Sequence, residues 1–291
     1  MLEQLLPTTD IALAMALVDT DRYPIHELSD AAGQALVAQC RQDLATKALC
    51  SLPGFLRPRA IEKLVDEAGA LIPDAVFTET MRTIFFGRAA GAPFPADHPR
   101  NQEFPNRFAR IVNHQFPNEG PSRALFLWPA LTEFVRQVFG AETMYPTQDP
   151  HVALTMKVEG EGDTDSWHYD GNDGVVSLLL QVPDEGGLFE YAPYIRTDDD
   201  ENIADVTNVL NDPERYAVRP PLGPGTLVFF NGHLSLHRVT PVGQTTRPRM
   251  ILLFSYDRAP NYVEPNALAE RLRRLPKVKD LNEQPSRYLL R

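Results

Sequence analysis

Cysteine is scarce in this sequence, and its scarcity excludes two kinds of small-protein architecture. The 291 residues contain two cysteines, Cys40 and Cys50. Two are too few for a disulfide framework or for a zinc site built on cysteine. We expect both to be reduced, buried thiols, as is usual in a cytoplasmic protein.

Long apolar runs and an excess of basic residues are also missing. No run of about 18 apolar residues occurs, so no membrane-spanning helix is expected, and the segment MLEQLLPTTD has no signal-peptide pattern. Lys and Arg number 28 against 39 Asp and Glu, a formal net charge of −11. Such a surface repels nucleic acid and anionic membranes. We therefore expect a cytoplasmic protein that binds a small molecule, with its oligomeric state open.

The first half of the chain predicts helices and loops. Three segments repeat apolar residues with the helical period: 27–49, 57–72 and 129–140. Ser29 or Asp30 is suited to cap the first of them. Residues 85–122 are rich in Pro, Gly, Asn and Arg and predict long loops.

From residue 145 onward the pattern changes to short β-branched and aromatic segments separated by Gly, Pro and Asp, which predicts strands. We expect one domain over 1–291, with a helical support (about 1–144), a β-sandwich or barrel (about 145–258) and a C-terminal extension (259–291). The acidic segment 197–212 predicts a helix between two strands. It could be a solvated excursion or a lid over a site.

The stretch WHYDGNDG places a histidine and a carboxylate two residues apart. On a strand these positions point to one face, so His168 and Asp170 could bind one metal from one side. His237, in LSLHRVTPV, supplies a second imidazole, although His233 shares its strand parity and is a rival. Two histidines and one carboxylate on a β-scaffold form the facial triad of non-haem Fe(II) oxygenases, which leaves coordination positions open.

Arg249 opens the apolar segment RMILLFSY, twelve residues after His237. A hairpin of this length predicts that Arg249 lies on the strand beside the one that ends at His237. An arginine there is suited to bind the far carboxylate of a 2-oxo diacid bidentately. Arg247 is a rival, but it precedes Pro248 in the turn, where an arginine is usually solvated.

Together these residues resemble the Fe(II)/2-oxoglutarate-dependent oxygenase superfamily. The segments WHYDGNDGVVSLLLQVPDEGGLFEYAPYIR and SLHRVTPVGQTTRPRMILLFSYDRAP are similar, more narrowly, to the stand-alone oxygenases that act on free amino acids, a group of radical halogenases and hydroxylases. The resemblance implies a mainly β fold with α-helices, a double-stranded β-helix (jelly-roll) on N-terminal supporting helices. It implies Fe(II) bound by His168, Asp170 and His237, 2-oxoglutarate bound by Arg249, and O2 as the third reagent.

In the halogenases of that group, glycine replaces the carboxylate ligand and opens a position for chloride. This sequence has Asp170 there, so the resemblance implies hydroxylation of an unactivated C–H bond of a small molecule, a free amino acid or a close derivative. Four alternatives stay open: a radical halogenase with an unusual carboxylate ligand, a desaturase or cyclase, a zinc hydrolase, and a non-catalytic cupin-like binding protein. A zinc hydrolase would leave Arg249 without a role.

Strand parity suggests which residues face the substrate. Ile251, Leu253 and Ser255 share the face of Arg249, although Leu253 could equally belong to the core. Further candidates flank the metal motif or begin a neighbouring strand: Trp167, Asn172, Asp173 and His151. A substrate carboxylate needs its own cation, and the loops offer six arginines that the sequence does not rank: Arg82, Arg88, Arg100, Arg107, Arg110 and Arg123.

Overall fold

A computed structural model of the chain describes residues 10–85, 94–95, 97–171, 175–263, 266–281 and 285–288. The α-helices in these ranges are α1 (Ile11–Leu17), α2 (Ala31–Lys47), α3 (Pro58–Leu71), α4 (Pro121–Phe126), α5 (Pro129–Val138), α6 (Ile203–Asn211), α7 (Pro213–Tyr216) and α8 (Asn266–Arg274). The strands are β1 (Leu49–Leu52), β2 (Val76–Arg82), β3 (Phe104–Ile111), β4 (Tyr145–Pro146), β5 (Leu154–Glu159), β6 (Thr164–His168), β7 (Val175–Gln181), β8 (Phe189–Ala192), β9 (Thr226–Phe230), β10 (Leu236–Val239), β11 (Arg249–Phe254) and β12 (Tyr256–Asp257).

Ten of these strands form one antiparallel sheet in the order β1-β9-β7-β11-β5-β3-β6-β10-β8, with β2 on the other edge of β3. Residues from both halves of this order line one cavity, because the sheet curls around it. This curled sheet is the jelly-roll expected from the sequence. The strands β4 and β12 form a separate ribbon.

Strand alternation separates the core from the cavity. On β11, Met250 and Leu252 are fully buried in the main hydrophobic core, which also contains residues of α1 to α5. The alternate residues Arg249, Ile251 and Leu253 line the cavity. A strand buried on both faces reads as a nearly continuous apolar run, which is why RMILLFSY was recognisable as a strand.

Two expectations about strand positions are wrong. The segment 85–122 was expected to be loops, yet it contains β3, which pairs with β2, β5 and β6. The sheet also takes β1 and β2 from the part expected to be helical support, so it begins before residue 145. Pro105 and Asn106 near the N-terminal end of β3, and Arg107 and Arg110 within it, hide its strand pattern.

The expected hairpin between the His237 and Arg249 strands is also wrong. β10 pairs with β6 and β8, whereas β11 pairs with β5 and β7. Residues 240–248 therefore cross from one half of the curled sheet to the other instead of joining neighbours. Arg249 and His237 face the same cavity from opposite sides.

The expected helices are confirmed. Asp30 occupies the N-cap position of α2, but its side chain makes no capping hydrogen bond. The helix expected in 197–212 is α6. Its Val206 and Val209 are buried in a second apolar cluster with Trp167 and Tyr169 of the His168 segment. This helix thus supports the outer face of β6. Among the described helices, none has the length and apolarity needed to cross a membrane.

Candidate active site

The two predicted histidine ligands lie directly opposite each other in the sheet. His168 on β6 pairs in register with His237 on β10, and their ring centroids are 4.1 Å apart. Asp170 follows β6, and its backbone N–H donates to the carbonyl of Gly232 at 3.0 Å. Asp170 Oδ1 is 3.5 Å from His237 Nε2 and 3.9 Å from His168 Nε2. One ligand atom from each residue lies within 4.8 Å of the others, so the three could hold one metal ion.

Backbone carbonyls orient both imidazoles. His168 Nδ1 is 2.7 Å from the carbonyl oxygen of Ser166, and His237 Nδ1 is 2.9 Å from that of Ser235. A carbonyl oxygen only accepts, so each Nδ1 carries the proton and each Nε2 presents its lone pair. Burial, together with the neighbouring His237, lowers the pKa of His168 well below its usual value. The imidazole of His168 is therefore neutral, the form that metal coordination requires.

The carboxylate between the histidines is ionised. Burial tends to raise the pKa of Asp170, but the attraction and hydrogen bond of His237 in its protonated form, with His168 and the cation Lys157, outweigh burial and bring this pKa to about 2 in the metal-free site. Two neutral nitrogens and one anionic oxygen fit Fe(II) with open positions. The rival His233 lies outside this cluster, since its Nε2 is 3.4 Å from Asp198.

Arg249 is buried at one end of the cavity. Its Nη1 donates to Glu159 Oε2 at 2.5 Å across the β11–β5 pair, and both side chains are almost fully buried. This contact orients the guanidinium, and the side chain lines the cavity. A guanidinium carries five N–H donors, so one contact to Glu159 does not exhaust them. The rival Arg247 is exposed and pairs with Asp184 at 3.4 Å. The geometry fits a carboxylate bound by Arg249 at the cavity end.

The inner cavity holds about 230 Å³ and contains charged residues that the sequence reasoning missed. Asp165 accepts from Arg82 at 2.6 Å and from Lys157, and Asp165 and Lys157 line the cavity. The missed signal lies in TMKVEG, where polar residues alternate with buried apolar ones. On a strand, that alternation places Thr155, Lys157 and Glu159 on one face.

An outer cavity of about 1010 Å³ adjoins the inner one. Arg110, Val152 and Ser255 line both cavities and therefore form their junction. Ser255 thus lies where strand parity predicted it, and Leu253 lines the inner cavity, not the core.

The remaining substrate candidates lie elsewhere. Trp167 is 2% exposed and points to the face of β6 opposite His168. The guanidinium carbon of Arg238 lies 4.6 Å from its ring centroid. Trp167 therefore does not line the cavity entrance. His151 lines neither cavity, and its ring meets His114 edge-on at 5.2 Å. Asn172 and Asp173 lie outside the described residues.

Comparisons with known proteins agree with this geometry. The family model of halogenase D matches residues 32–271. The fold is similar to the epimerase SnoN in complex with Fe3+, alpha ketoglutarate and nogalamycin RO (17% identity, 88% of this chain and 94% of that chain, TM-score 0.56). It is also similar to AviO1 from Streptomyces viridochromogenes Tue57 (18% identity, 78% and 96%, TM-score 0.52) and to EctD from S. alaskensis with 2-oxoglutarate and 5-hydroxyectoine (17% identity, 78% and 78%, TM-score 0.50). A search of curated proteins gives no match.

The curled sheet and its His-Asp-His cluster define an oxygenase that depends on Fe(II) and 2-oxoglutarate. Within that class, the match over most of its length shows that the chain belongs to the halogenase D family.

Proposed function

We propose that this oxygenase hydroxylates an unactivated C–H bond of a small molecule, a free amino acid or a close derivative. The observation that carries the proposal is Asp170, a carboxylate held beside His168 and His237. The reaction consumes R–H, O2 and 2-oxoglutarate and yields R–OH, succinate and CO2. One oxygen atom enters the product and the other enters succinate.

Each site residue has a distinct role in this proposal. His168, Asp170 and His237 hold Fe(II) through two Nε2 atoms and a carboxylate oxygen, and Arg249 binds the C5 carboxylate of 2-oxoglutarate. The bound iron and 2-oxoglutarate supply, with O2, the oxidant that removes a hydrogen atom and returns a hydroxyl group. The chain itself orients the target C–H bond and excludes water from the inner cavity.

The ligand assignment is tested by metal retention. We expect His168→Ala and His237→Ala to lose stoichiometric iron after purification, because each removes one of three protein ligands. His233→Ala is the matched control, since His233 lies on the same segment but outside the cluster. Full iron in His237→Ala together with loss in His233→Ala would move the ligand to His233.

A second candidate is halogenation, which the halogenase D family match favours. The carboxylate of Asp170 argues against it, because that oxygen takes the coordination position that a halide needs. The test is mass spectrometry of wild-type reactions with the twenty amino acids, with and without chloride. We expect a gain of one oxygen that is insensitive to chloride. A chlorine isotope pattern in the product would establish the halogenase instead.

A further inference from the structure

The six arginines that the sequence could not rank differ sharply in their surroundings. Arg88 lies outside the described residues. Four others already have polar partners: Arg82 with Asp165, Arg100 with Glu201, Arg107 with Glu79 and Asp163, and Arg123 with Asn113 and the carbonyl of Phe116. For Arg110, the described part of the chain provides neither a salt bridge nor a side-chain hydrogen bond.

Arg110 lies on β3, in register with Lys157 of β5, so both side chains point to the cavity side of the sheet. Its Nε is buried and has no hydrogen-bond partner among the described residues. The carboxylate that acts on it electrostatically, Asp165, already accepts from Arg82 and Lys157. Its guanidinium carbon also lies 5.2 Å from the ring centroid of Phe108. A buried cation without a carboxylate of its own is still costly unless something compensates its charge.

The charge of Arg110 persists at neutral pH. Burial lowers the pKa of Arg110 to about 10, and the nearby Arg82 and Arg271 act in the same direction. That pKa still lies far above neutrality, so the guanidinium is cationic under ordinary conditions. It is therefore a fixed positive charge where the two cavities meet.

A second buried polar atom without a hydrogen-bond partner among the described residues lies on the outer-cavity side of this junction. Thr147 Oγ1 is buried and without a hydrogen-bond partner among the described residues, and Thr147 lines the outer cavity. Its backbone N–H donates to the carbonyl of Ser255 at 3.0 Å, which places it beside a junction residue. A guanidinium and a hydroxyl donor together suit a carboxylate.

We infer that Arg110, assisted by Thr147, binds the carboxylate of the organic substrate at the junction of the two cavities. This inference rests on the proposed function, and it names the substrate class as one that carries a free carboxylate. Arg249 then holds 2-oxoglutarate in the inner cavity, and Arg110 holds the organic substrate where the two cavities meet. The part of the substrate to be oxidised enters the inner cavity, and its other substituents lie in the outer cavity.

The experiment measures binding without turnover. Protein loaded with Mn(II) and 2-oxoglutarate in the absence of O2 is titrated with each of the twenty amino acids and with the matching α-carboxamides, and the melting temperature is read. We expect at least one amino acid to stabilise the wild type while its carboxamide does not. In Arg110→Gln the affinity for that amino acid should fall by about 30-fold or more, the usual loss when a buried charge-assisted contact is broken.

Three variants make the result specific. Arg110→Lys should recover part of the affinity, and Thr147→Val should lose less than Arg110→Gln. Arg59→Gln, which removes an exposed positive charge outside both cavities, should bind as the wild type does. All four variants should bind 2-oxoglutarate normally in isothermal titrations.

Three outcomes would overturn the inference. They are equal stabilisation by acids and carboxamides in the wild type, an unchanged acid preference in Arg110→Gln, and loss of 2-oxoglutarate binding in Arg110→Gln. Because no oxidation occurs in these titrations, a chlorinated product in the activity assay would refute the proposed hydroxylation without affecting them.

Discussion

The position of the Asp170 carboxylate depends on a residue with no side chain. A Cβ atom placed on Gly232 would lie 1.8 Å from Asp170 Oδ2 and 2.6 Å from its Cγ, far inside contact distance. Gly232 also accepts the backbone N–H of Asp170. The missing side chain is therefore what allows the carboxylate to lie between the two imidazoles.

We predict that Gly232→Ala weakens metal binding. The added methyl group forces the Asp170 carboxylate away from the histidines, and a displaced or poorly supported ligand costs about 10–100-fold in metal affinity. The measurement is competition of the variant with a chelator for Fe(II) or Mn(II). Gly171→Ala is the control, because a Cβ there meets nothing within 4 Å. Equal metal affinity in both variants would contradict the role given to Gly232.

Some of this site could be predicted from single residues and some could not. The His168–Asp170 spacing needs only strand alternation, and the structure brings both residues to His237. Nothing local to Arg249 indicates Glu159, because that pairing depends on which strand lies beside β11. The choice of Arg110 likewise depends on absent partners, and only the folded chain shows which arginines are engaged.

At the scale of elements, predictions succeeded where one pattern dominated a segment. The amphipathic α3 and α5 and the apolar β11 have one clear period each. β3 was missed because polar and charged residues interrupt its buried apolar residues Phe108, Ala109 and Ile111, so no clear two-residue period is visible. The order of the strands was also missed, because a jelly-roll places strands that follow each other in sequence on different halves of the sheet.

Asp163, in the turn between β5 and β6, has a buried carboxylate that the C-terminal residues Arg287 and Tyr288 contact. Tyr288 is fully buried, and its hydroxyl donates to Asp163 Oδ2 at 2.6 Å, while Arg287 and Arg107 lie 3.4 and 3.5 Å from Oδ1. Burial raises the pKa of Asp163 to about 6, although Tyr288 and the arginines oppose the rise. The folded state therefore holds a proton that the unfolded chain releases between about pH 4 and pH 6. The stability that this group contributes is highest in acid and declines as the pH rises through 6.

We predict that Tyr288→Phe destabilises the protein in a pH-dependent way. Above pH 6 the variant loses a hydrogen bond to a charged group, about 1.5–3 kcal/mol, and below pH 5 it loses a bond to a neutral one, about 1 kcal/mol. Urea unfolding at pH 5 and pH 8 measures both. Tyr145→Phe is the control, since Tyr145 is 39% exposed. A loss that is larger at pH 5 than at pH 8 would show that Asp163 does not carry the charge assumed here.

At the scale of the whole molecule, a chain with a net charge of −11 encloses a cavity that is lined by three basic residues, Arg110, Lys157 and Arg249. The overall charge repels nucleic acid and acidic surfaces, whereas Arg249 and Arg110 place positive charge inside the cavity, which Asp165 and Asp170 also line. The remote charge is screened beyond about 10 Å at ordinary ionic strength, while buried cations are screened much less. The negative net charge of the chain therefore does not prevent an anionic ligand from binding in its cavity.

The metal ion and 2-oxoglutarate should each stabilise the folded chain, and 2-oxoglutarate should do so only after the metal has bound. A ligand that binds only the folded state at 100 times its dissociation constant adds about 2.7 kcal/mol, and each kcal/mol raises the melting temperature of a large domain by about 2–4 °C. We predict that Mn(II) alone raises the melting temperature of the wild type, and that 2-oxoglutarate adds a further rise only when the metal is present, because the diacid needs both the metal and Arg249.

In Arg249→Ala, Mn(II) should still raise the melting temperature, but 2-oxoglutarate should no longer add to the rise. Arg247→Ala, changed in the exposed turn, should show both rises. A 2-oxoglutarate increment that survives in Arg249→Ala and disappears in Arg247→Ala would transfer the carboxylate site to the turn.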